Sequence, residues 1–172
     1  MNKPETPEQT RAFHKLLRSD PRKYLETANQ WIHEDPKDSG AYFDRHLAWM
    51  HVGEPQHALE DINKAIELDP QPVDFLARGD VYRHLGDYQK ALEDYDQGEA
   101  LNPSEWQDDE FGLLFQADCH GRLGHEAEAL AYCARLPDNF WTPGLKGAPA
   151  GDKASIADQL RRMAAESRRM SP

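Results

Sequence analysis

The sequence predicts an all-α fold, an α-solenoid of about four helix hairpins that ends in a C-terminal capping helix. The main observation is an internal repeat, since residues 58–61, Ala-Leu-Glu-Asp, recur letter for letter at residues 91–94. The prolines that end successive units are also evenly spaced, at Pro36, Pro70 and Pro103. One helix hairpin leaves its flanks apolar, so repeated hairpins are expected to bury them by stacking on their neighbours.

The first unit, residues 5–38, contains two predicted helices that meet at residues 19–21. A proline that follows an aspartate is a good helix start, so we predict that Pro21 opens the second helix and that Pro36 ends the pair. Apolar residues recur at helical spacing in both helices. They are Phe13, Leu16 and Leu17, then Leu25, Ala28, Trp31 and Ile32.

The second and third units, residues 39–71 and 72–105, follow one pattern displaced by 33 residues. Each divides at a glycine, Gly53 or Gly86, into two segments with aromatic or small residues at helical spacing, which indicates an antiparallel helix pair. The small residues let the two backbones approach each other. The matching positions are Tyr42, Trp49, Ala58, Ile62 and Ala65 in the second unit and Phe75, Tyr82, Ala91, Tyr95 and Gly98 in the third.

The fourth unit, residues 106–137, is displaced, because Gly124 lies 38 residues after Gly86 instead of 33. We place the additional residues at 104–109, as a longer loop or an extended start of the next helix. Beyond them the same slots are filled by Leu113, Ala117, His120, Gly124, Ala129 and Cys133.

Residues 137–151 contain three prolines and three glycines, so we predict an irregular loop over residues 138–151. Asp152 can then cap a last helix, residues 152–169, whose apolar stripe includes Ile156 and Leu160. This helix is basic, whereas the rest of the chain is acidic. We predict that it caps the solenoid, and the alternative is that it folds back into an acidic groove. Residues 1–172 are thus expected to form a single domain.

The 172 residues include 31 acidic and 20 basic side chains, which gives a net charge of −11. That balance argues against binding to nucleic acids or to anionic membrane surfaces, because both require a positive protein face. With two cysteines, Cys119 and Cys133, no disulfide framework is expected. The chain contains no basic region followed by an apolar run at its start, and no stretch of about 18 apolar residues. We therefore expect a cytoplasmic protein.

The two middle units resemble tetratricopeptide repeats (TPRs). Residues 72–103 carry the aromatic residue, the opposed small residues, the glycine turn and the terminal proline of that pattern, close to its period of about 34 residues. Residues 39–70 resemble it well and residues 110–137 to a lesser degree, whereas the first unit shares its length and its final proline. His46 and Gly98 depart from the pattern, which prefers a small residue and an alanine there.

The resemblance implies a right-handed superhelix in which the first helix of each pair lines a concave groove. Proteins of this class are usually non-enzymatic adaptors or scaffolds that bind a peptide or a helix of a partner protein. One alternative is a dedicated chaperone or assembly factor for a secretion or envelope machine. Another is an enzyme or regulatory subunit that depends on residues 137–151. Fold alone does not decide among these functions.

The resemblance also implies groove-facing positions on the first helices of the second, third and fourth units. His51 and His84 share a slot that Arg122 takes in the fourth unit, so a row of basic side chains could meet an acidic peptide or a carboxylate. The polar members could equally be solvated surface residues, and Leu47 and Leu76 could pack between helices. The full set is Phe43, Leu47, Met50, His51, Leu76, Asp80, Arg83, His84, Phe111, Leu114, Asp118 and Arg122.

We predict no catalytic, cofactor-binding or metal-binding residues. Eight histidines are present, so their spacing matters. His46 with His51, and His120 with His125, are five residues apart. That spacing corresponds to about 140° around a helix, which would not bring two imidazoles to one ion.

Overall fold

The computed structural model describes residue 3 and residues 6–103, 109–144 and 147–170. These residues include nine α-helices and one two-stranded sheet, so the all-α fold class is confirmed. None of the described helices is long and apolar enough to cross a membrane. The chain divides into two compact units, residues 1–81 and 82–172, and its organisation as a single domain stays a prediction. Nearly all of the additional residues predicted at 104–109 lie outside the described ranges.

Unit 1 contains four complete helices and the first part of a fifth. They are α1 (Pro7–Ser19), α2 (Pro21–Glu34), α3 (Ser39–Val52), α4 (Pro55–Leu68) and α5 (Pro72–Leu85), which continues into unit 2. Prolines occupy the first turns of α1, α2 and α4, where the N–H that proline lacks has no partner within the helix. Thr6 and Gln9 form a reciprocal capping box at the start of α1. The predicted helix boundary at residues 19–21 is confirmed.

The core of unit 1 is an aromatic cluster centred on the α1–α2 pair. The ring centroid of Phe13 lies 5.2 Å from that of Trp31 and 6.0 Å from that of Tyr24. Ala28 and Ala41 belong to the same cluster and are fully buried. Small side chains at these positions let α2 and α3 pack closely, while the aromatic rings remove large apolar areas from water.

One polar contact recurs between consecutive helix pairs of unit 1. Arg45 on α3 donates to Asn29 Oδ1 at 2.8 Å, and Arg78 on α5 donates to Asn63 Oδ1 at 3.0 Å. The two arginines occupy the same slot of the repeat, and so do the two asparagines. Each pair therefore stacks on the next in the same way, which is the arrangement that a solenoid requires.

The described residues of unit 2 include the end of α5, four further helices and two short strands. They are α6 (Tyr88–Leu101), α7 (Glu110–Arg122), α8 (Glu126–Arg135), β1 (Trp141–Thr142), β2 (Gly151–Asp152) and α9 (Lys153–Met170). α6 packs on α7, and α7 forms a hairpin with α8. The hairpin turns in both units use glycine, since Gly53, Gly86 and Gly124 have φ angles of 82°, 82° and 83°. A residue with a Cβ atom is strained at such angles, which explains the glycine in this slot of each repeat.

The last helix, α9, covers the final helix pair. It packs on both α7 and α8 and fully buries Ile156 and Leu160. Near its end, Arg168 donates to the carbonyl oxygen of Gly124 at 3.0 Å. The apolar stripe of α9 is thus used within unit 2, as predicted for a capping helix and not for a segment held in a groove.

The connector before α9 is less irregular than predicted. Trp141 and Thr142 pair with Asp152 and Gly151 in antiparallel register, so the prediction of an irregular loop over residues 138–151 is wrong at Trp141, Thr142 and Gly151. This pairing gives hydrogen-bond partners to backbone N–H and C=O groups of the two strands. Asp152 accepts a hydrogen bond from the backbone N of Ser155 at 2.8 Å, which confirms the predicted cap of the last helix.

Candidate functional site

The predicted groove-facing residues of α3 form a half-exposed face of unit 1. Phe43, Leu47 and Met50 are partly exposed, and His51 is exposed. Their spacing of four, three and one residues places them on one stripe of the helix. α3 packs inside unit 1 through its buried residues, Ala41, His46 and Ala48, and Leu47 also packs against the core of this unit. We call the four predicted residues the α3 face.

Local contacts orient two members of the α3 face. The ring of Phe43 lies edge-on to that of His46, with the centroids 4.6 Å apart. His51 Nδ1 lies 3.0 Å from the carbonyl oxygen of Leu47. A carbonyl oxygen can only accept, so Nδ1 is the donor in this contact, and Nε2 stays available for a hydrogen bond to another group. The α3 face therefore combines apolar surface with one polar end.

α5 carries predicted site residues in both units. Leu76 and Asp80 are half-exposed in unit 1, and His84 is exposed in unit 2. Arg83 differs from its neighbours, because it is only 5% exposed. α5 therefore presents only part of its predicted row to solvent.

Three predicted site residues of unit 2 form a largely buried ion network. Asp118, with no exposed surface, accepts hydrogen bonds from Arg83 Nη1 at 3.1 Å and from Arg122 Nε at 2.9 Å. Both carboxylate oxygens are thus paired, as a buried charge requires. The two other α7 residues predicted to face the groove are Leu114, which is fully buried, and Phe111, which is 41% exposed.

Arg122 joins this network to the connector. Its guanidinium donates to the hydroxyl of Tyr88 at 3.4 Å and to the carbonyl oxygen of Gly147 at 2.9 Å. Arg83 is covered by Phe115, whose ring centroid lies 4.4 Å from the guanidinium carbon. The network therefore links the end of α5, the start of α6, the middle of α7 and the connector within unit 2.

The charge of Asp118 is affected in opposite directions by burial and by its two arginine partners. Burial raises the pKa of the Asp118 carboxyl, while Arg122 and Arg83 oppose that rise. Arg83 and Arg122 both donate hydrogen bonds to Asp118. The role of these three residues in partner binding stays a prediction. The repeat pattern gave no signal for this network, because its members come from different helix pairs and from the connector.

The structure brings together two histidines that the sequence spacing separated. His120 Nδ1 and His125 Nδ1 lie 3.5 Å apart. The expectation that they diverge is wrong, because α7 ends at Arg122 and His125 is the N-cap of α8. The glycine turn at Gly124 was the signal that helical angles do not apply across this pair. Among the described residues, no group of three or more His, Cys, Asp or Glu side chains is arranged to hold a metal ion.

A family model described as tetratricopeptide repeat matches residues 74–105. The match covers most of the third predicted unit, including nearly all of α5 and the whole of α6. No curated protein is significantly similar to the chain in sequence.

Several solved structures share the fold of this chain at low sequence identity. MamA has a TM-score of 0.64 at 16% identity, and the match covers 97% of this chain and 92% of MamA. YrrB, described as a TPR protein with an unusual peptide-binding site, has a TM-score of 0.61 at 20% identity, with 89% of this chain and 78% of YrrB covered. TTC0263, a thermophilic TPR protein in Thermus thermophilus, has a TM-score of 0.56 at 20% identity, with 92% and 88% covered. The resemblance to tetratricopeptide repeats is therefore confirmed at residues 74–105, and the similarity to these solved structures shows an all-α solenoid fold.

Proposed function

We propose that this protein is a non-enzymatic interaction module, an adaptor or scaffold, that binds a peptide or a helix of a partner protein. Its binding surface in unit 1 is the α3 face, which is part of the predicted groove. The observation that carries the proposal is the half-exposure of Phe43 and Met50 on one stripe with the exposed His51. Leu47 lies on the same stripe but also packs against the core of unit 1.

The α3 face has the composition of a peptide-binding surface. A partner that covers its apolar side chains gains about 25 cal/mol for each Å² of apolar surface removed from water. Met50 can adapt its flexible side chain to different partner shapes. His51 supplies a polar group at one end, which can fix the orientation of a bound segment. Between residues 43 and 51 the helix rises by about 12 Å, the length of about four residues of an extended peptide.

The similarity to YrrB supports a peptide ligand for this class of fold. YrrB is described as having an unusual peptide-binding site, and it shares 20% of its aligned residues with this chain. Identity at that level does not transfer individual site residues, so the α3 face rests on its own exposure and composition. A cytoplasmic location, and the alternative role as a dedicated chaperone or assembly factor, stay predictions.

Affinity capture from the native cells tests the proposal. The wild-type chain is compared with a Phe43→Ala, Met50→Ala double variant, which removes the two largest apolar side chains of the α3 face. The matched control is a Gln56→Ala, Gln97→Ala double variant, because both glutamines are exposed on other helices. Circular dichroism confirms that the helix content of each variant is unchanged.

We expect the wild type and the control to recover the same partner in similar amounts. Recovery with the α3-face variant should fall by about tenfold or more, since a few buried apolar anchors dominate binding at such surfaces. Equal recovery by the α3-face variant and the control would remove the α3 face from the proposal.

A further inference from the structure

The turn between α7 and α8 in unit 2 places two imidazoles side by side. The Nδ1 atoms of His120 and His125 are 3.5 Å apart. Two nitrogen ligands on one tetrahedral Zn²⁺ ion, each at about 2.0–2.1 Å, are separated by about 3.3 Å. The two histidines therefore already have nearly the spacing that a shared ion imposes. His125 is exposed and His120 is half-exposed, so solvent reaches the pair.

The internal repeat indicates that a third side chain, Glu128, belongs to the same turn. Glu128 occupies the slot of His57 in the second helix pair and of Lys90 in the third, while His120 occupies the slot of Trp49 and Tyr82. The side chains in these two slots are in contact in both other pairs. The ring centroid of His57 is 4.7 Å from that of Trp49, and Lys90 Nζ is 5.3 Å from the centroid of Tyr82.

In the fourth pair these two slots hold an imidazole and a carboxylate, His120 and Glu128. Only this pair combines two imidazoles with a carboxylate in the three slots of the turn. The second pair has Trp49, Glu54 and His57 there, and the third has Tyr82, Asp87 and Lys90.

The ring of His120 is held in place by an aromatic neighbour. It stacks on the ring of Tyr132, with the centroids 5.4 Å apart and the planes 19° apart, which restricts its rotation. A ligand whose orientation is already restricted loses less conformational freedom when it binds an ion.

We propose that His120 and His125, together with Glu128, form a site for a divalent cation of the zinc class. Imidazole nitrogen and carboxylate oxygen are ligands that Zn²⁺ accepts, and water completes its coordination. The two imidazoles are the preformed part of the site, and the exposed Glu128 reaches the ion by rotation of its side chain. The ion joins the end of α7 to the start of α8, so its binding stabilises the folded hairpin.

Calorimetric titration of the full chain with ZnCl₂, after treatment with a chelator and its removal, tests this site. Residues from the other repeats supply variants that suit the same backbone. His120→Tyr introduces the residue of the third pair, and Glu128→Lys does the same. His125→Asn keeps a good helix cap without a ligating ring. The control is His33→Gln, which removes an exposed histidine from α2.

We expect the wild type and His33→Gln to bind one Zn²⁺ per chain and to gain thermal stability with Zn²⁺. His120→Tyr and His125→Asn should each weaken binding by at least about tenfold and lose that gain, with a smaller loss for Glu128→Lys. Co²⁺ bound in place of Zn²⁺ should show the visible absorption of a four-coordinate ion. Absence of binding by the wild type, or equal binding by the wild type and the two histidine variants, would overturn the proposal.

Discussion

Arg83 and Asp118, which are 35 residues apart in sequence, form an ion pair inside unit 2. Arg83 Nη1 lies 3.1 Å from Asp118 Oδ2, and the side chains are 3% and 0% exposed. The pair connects the end of α5 to the middle of α7. Two neighbouring helix hairpins are therefore joined by charge as well as by apolar packing.

Replacement of Asp118 by alanine should be strongly destabilising. It leaves the buried guanidinium of Arg83 without this carboxylate, and breaking a buried pair in this way costs about 3–5 kcal/mol. Urea unfolding followed by circular dichroism measures the loss. The control is Asp158→Ala, which breaks an exposed pair with Arg161 and should change the free energy of unfolding far less. A loss below about 1 kcal/mol for Asp118→Ala would show that the network does not stabilise unit 2.

The capping role of α9 predicts a large effect at Leu160. This side chain is fully buried where α9 packs on α7, and its Cδ2 lies 3.2 Å from the position that a Cβ on Gly121 would occupy. Leu160→Ala should lower the free energy of unfolding by about 2–5 kcal/mol, because it leaves a cavity. Leu101→Ala serves as the control, since Leu101 is 53% exposed. Similar losses for the two variants would argue that α9 does not act as a cap.

The two glycine turns of unit 2 should respond differently to alanine. Both Gly86 and Gly124 have positive φ angles, so each substitution carries a backbone cost of about 1–2 kcal/mol. A Cβ on Gly86 would meet nothing within 4 Å, whereas a Cβ on Gly124 would lie 3.1 Å from Arg168 Cγ. Gly124→Ala should therefore lower the thermal midpoint further than Gly86→Ala. The reverse order would contradict the close packing of α9 on this turn.

His120 should make unit 2 less stable at mildly acidic pH. Burial, with a contribution from His125, lowers the pKa of His120 below its usual value of about 6.5. The unfolded chain then binds more protons than the folded chain as the pH falls through about 6.5, so the free energy of unfolding decreases there. His120→Tyr lacks this contribution. In a metal-free buffer, the free energy of unfolding of the wild type should therefore decrease relative to that of His120→Tyr as the pH is lowered from about 7.5 to about 5.5, a range around that usual value. If the wild type keeps or gains stability relative to His120→Tyr as the pH is lowered, a lowered pKa of His120 is contradicted.

Glycine and proline predicted the hairpins well, because their backbone constraints act locally. α3 ends at Val52, directly before Gly53, and α2 begins at Pro21. The apolar stripe with Ile156 and Leu160 also predicted a last helix, which the structure shows as α9 with both residues fully buried. These features depend on short-range geometry and on burial periodicity, both of which can be read from one sequence.

Exposure on α7 could not be predicted from the repeat alone. The pattern assumes that the same stripe of each first helix stays open, yet Asp118 and Leu114 are buried. In unit 2, α9 packs on α7, and the connector contacts Arg122 through Gly147. Neither element belongs to the repeat. Long-range cover of this kind leaves no periodic signal, and the same holds for the pairing of β1 with β2.

We propose that a partner segment lies on the α3 face. Photo-crosslinking in the native cells can locate that segment, with a photoreactive amino acid placed at position 43, 50 or 56 in separate variants. We predict that positions 43 and 50 capture the same partner and that position 56, which is exposed on α4, does not. Capture from position 56 with none from positions 43 and 50 would contradict the claim.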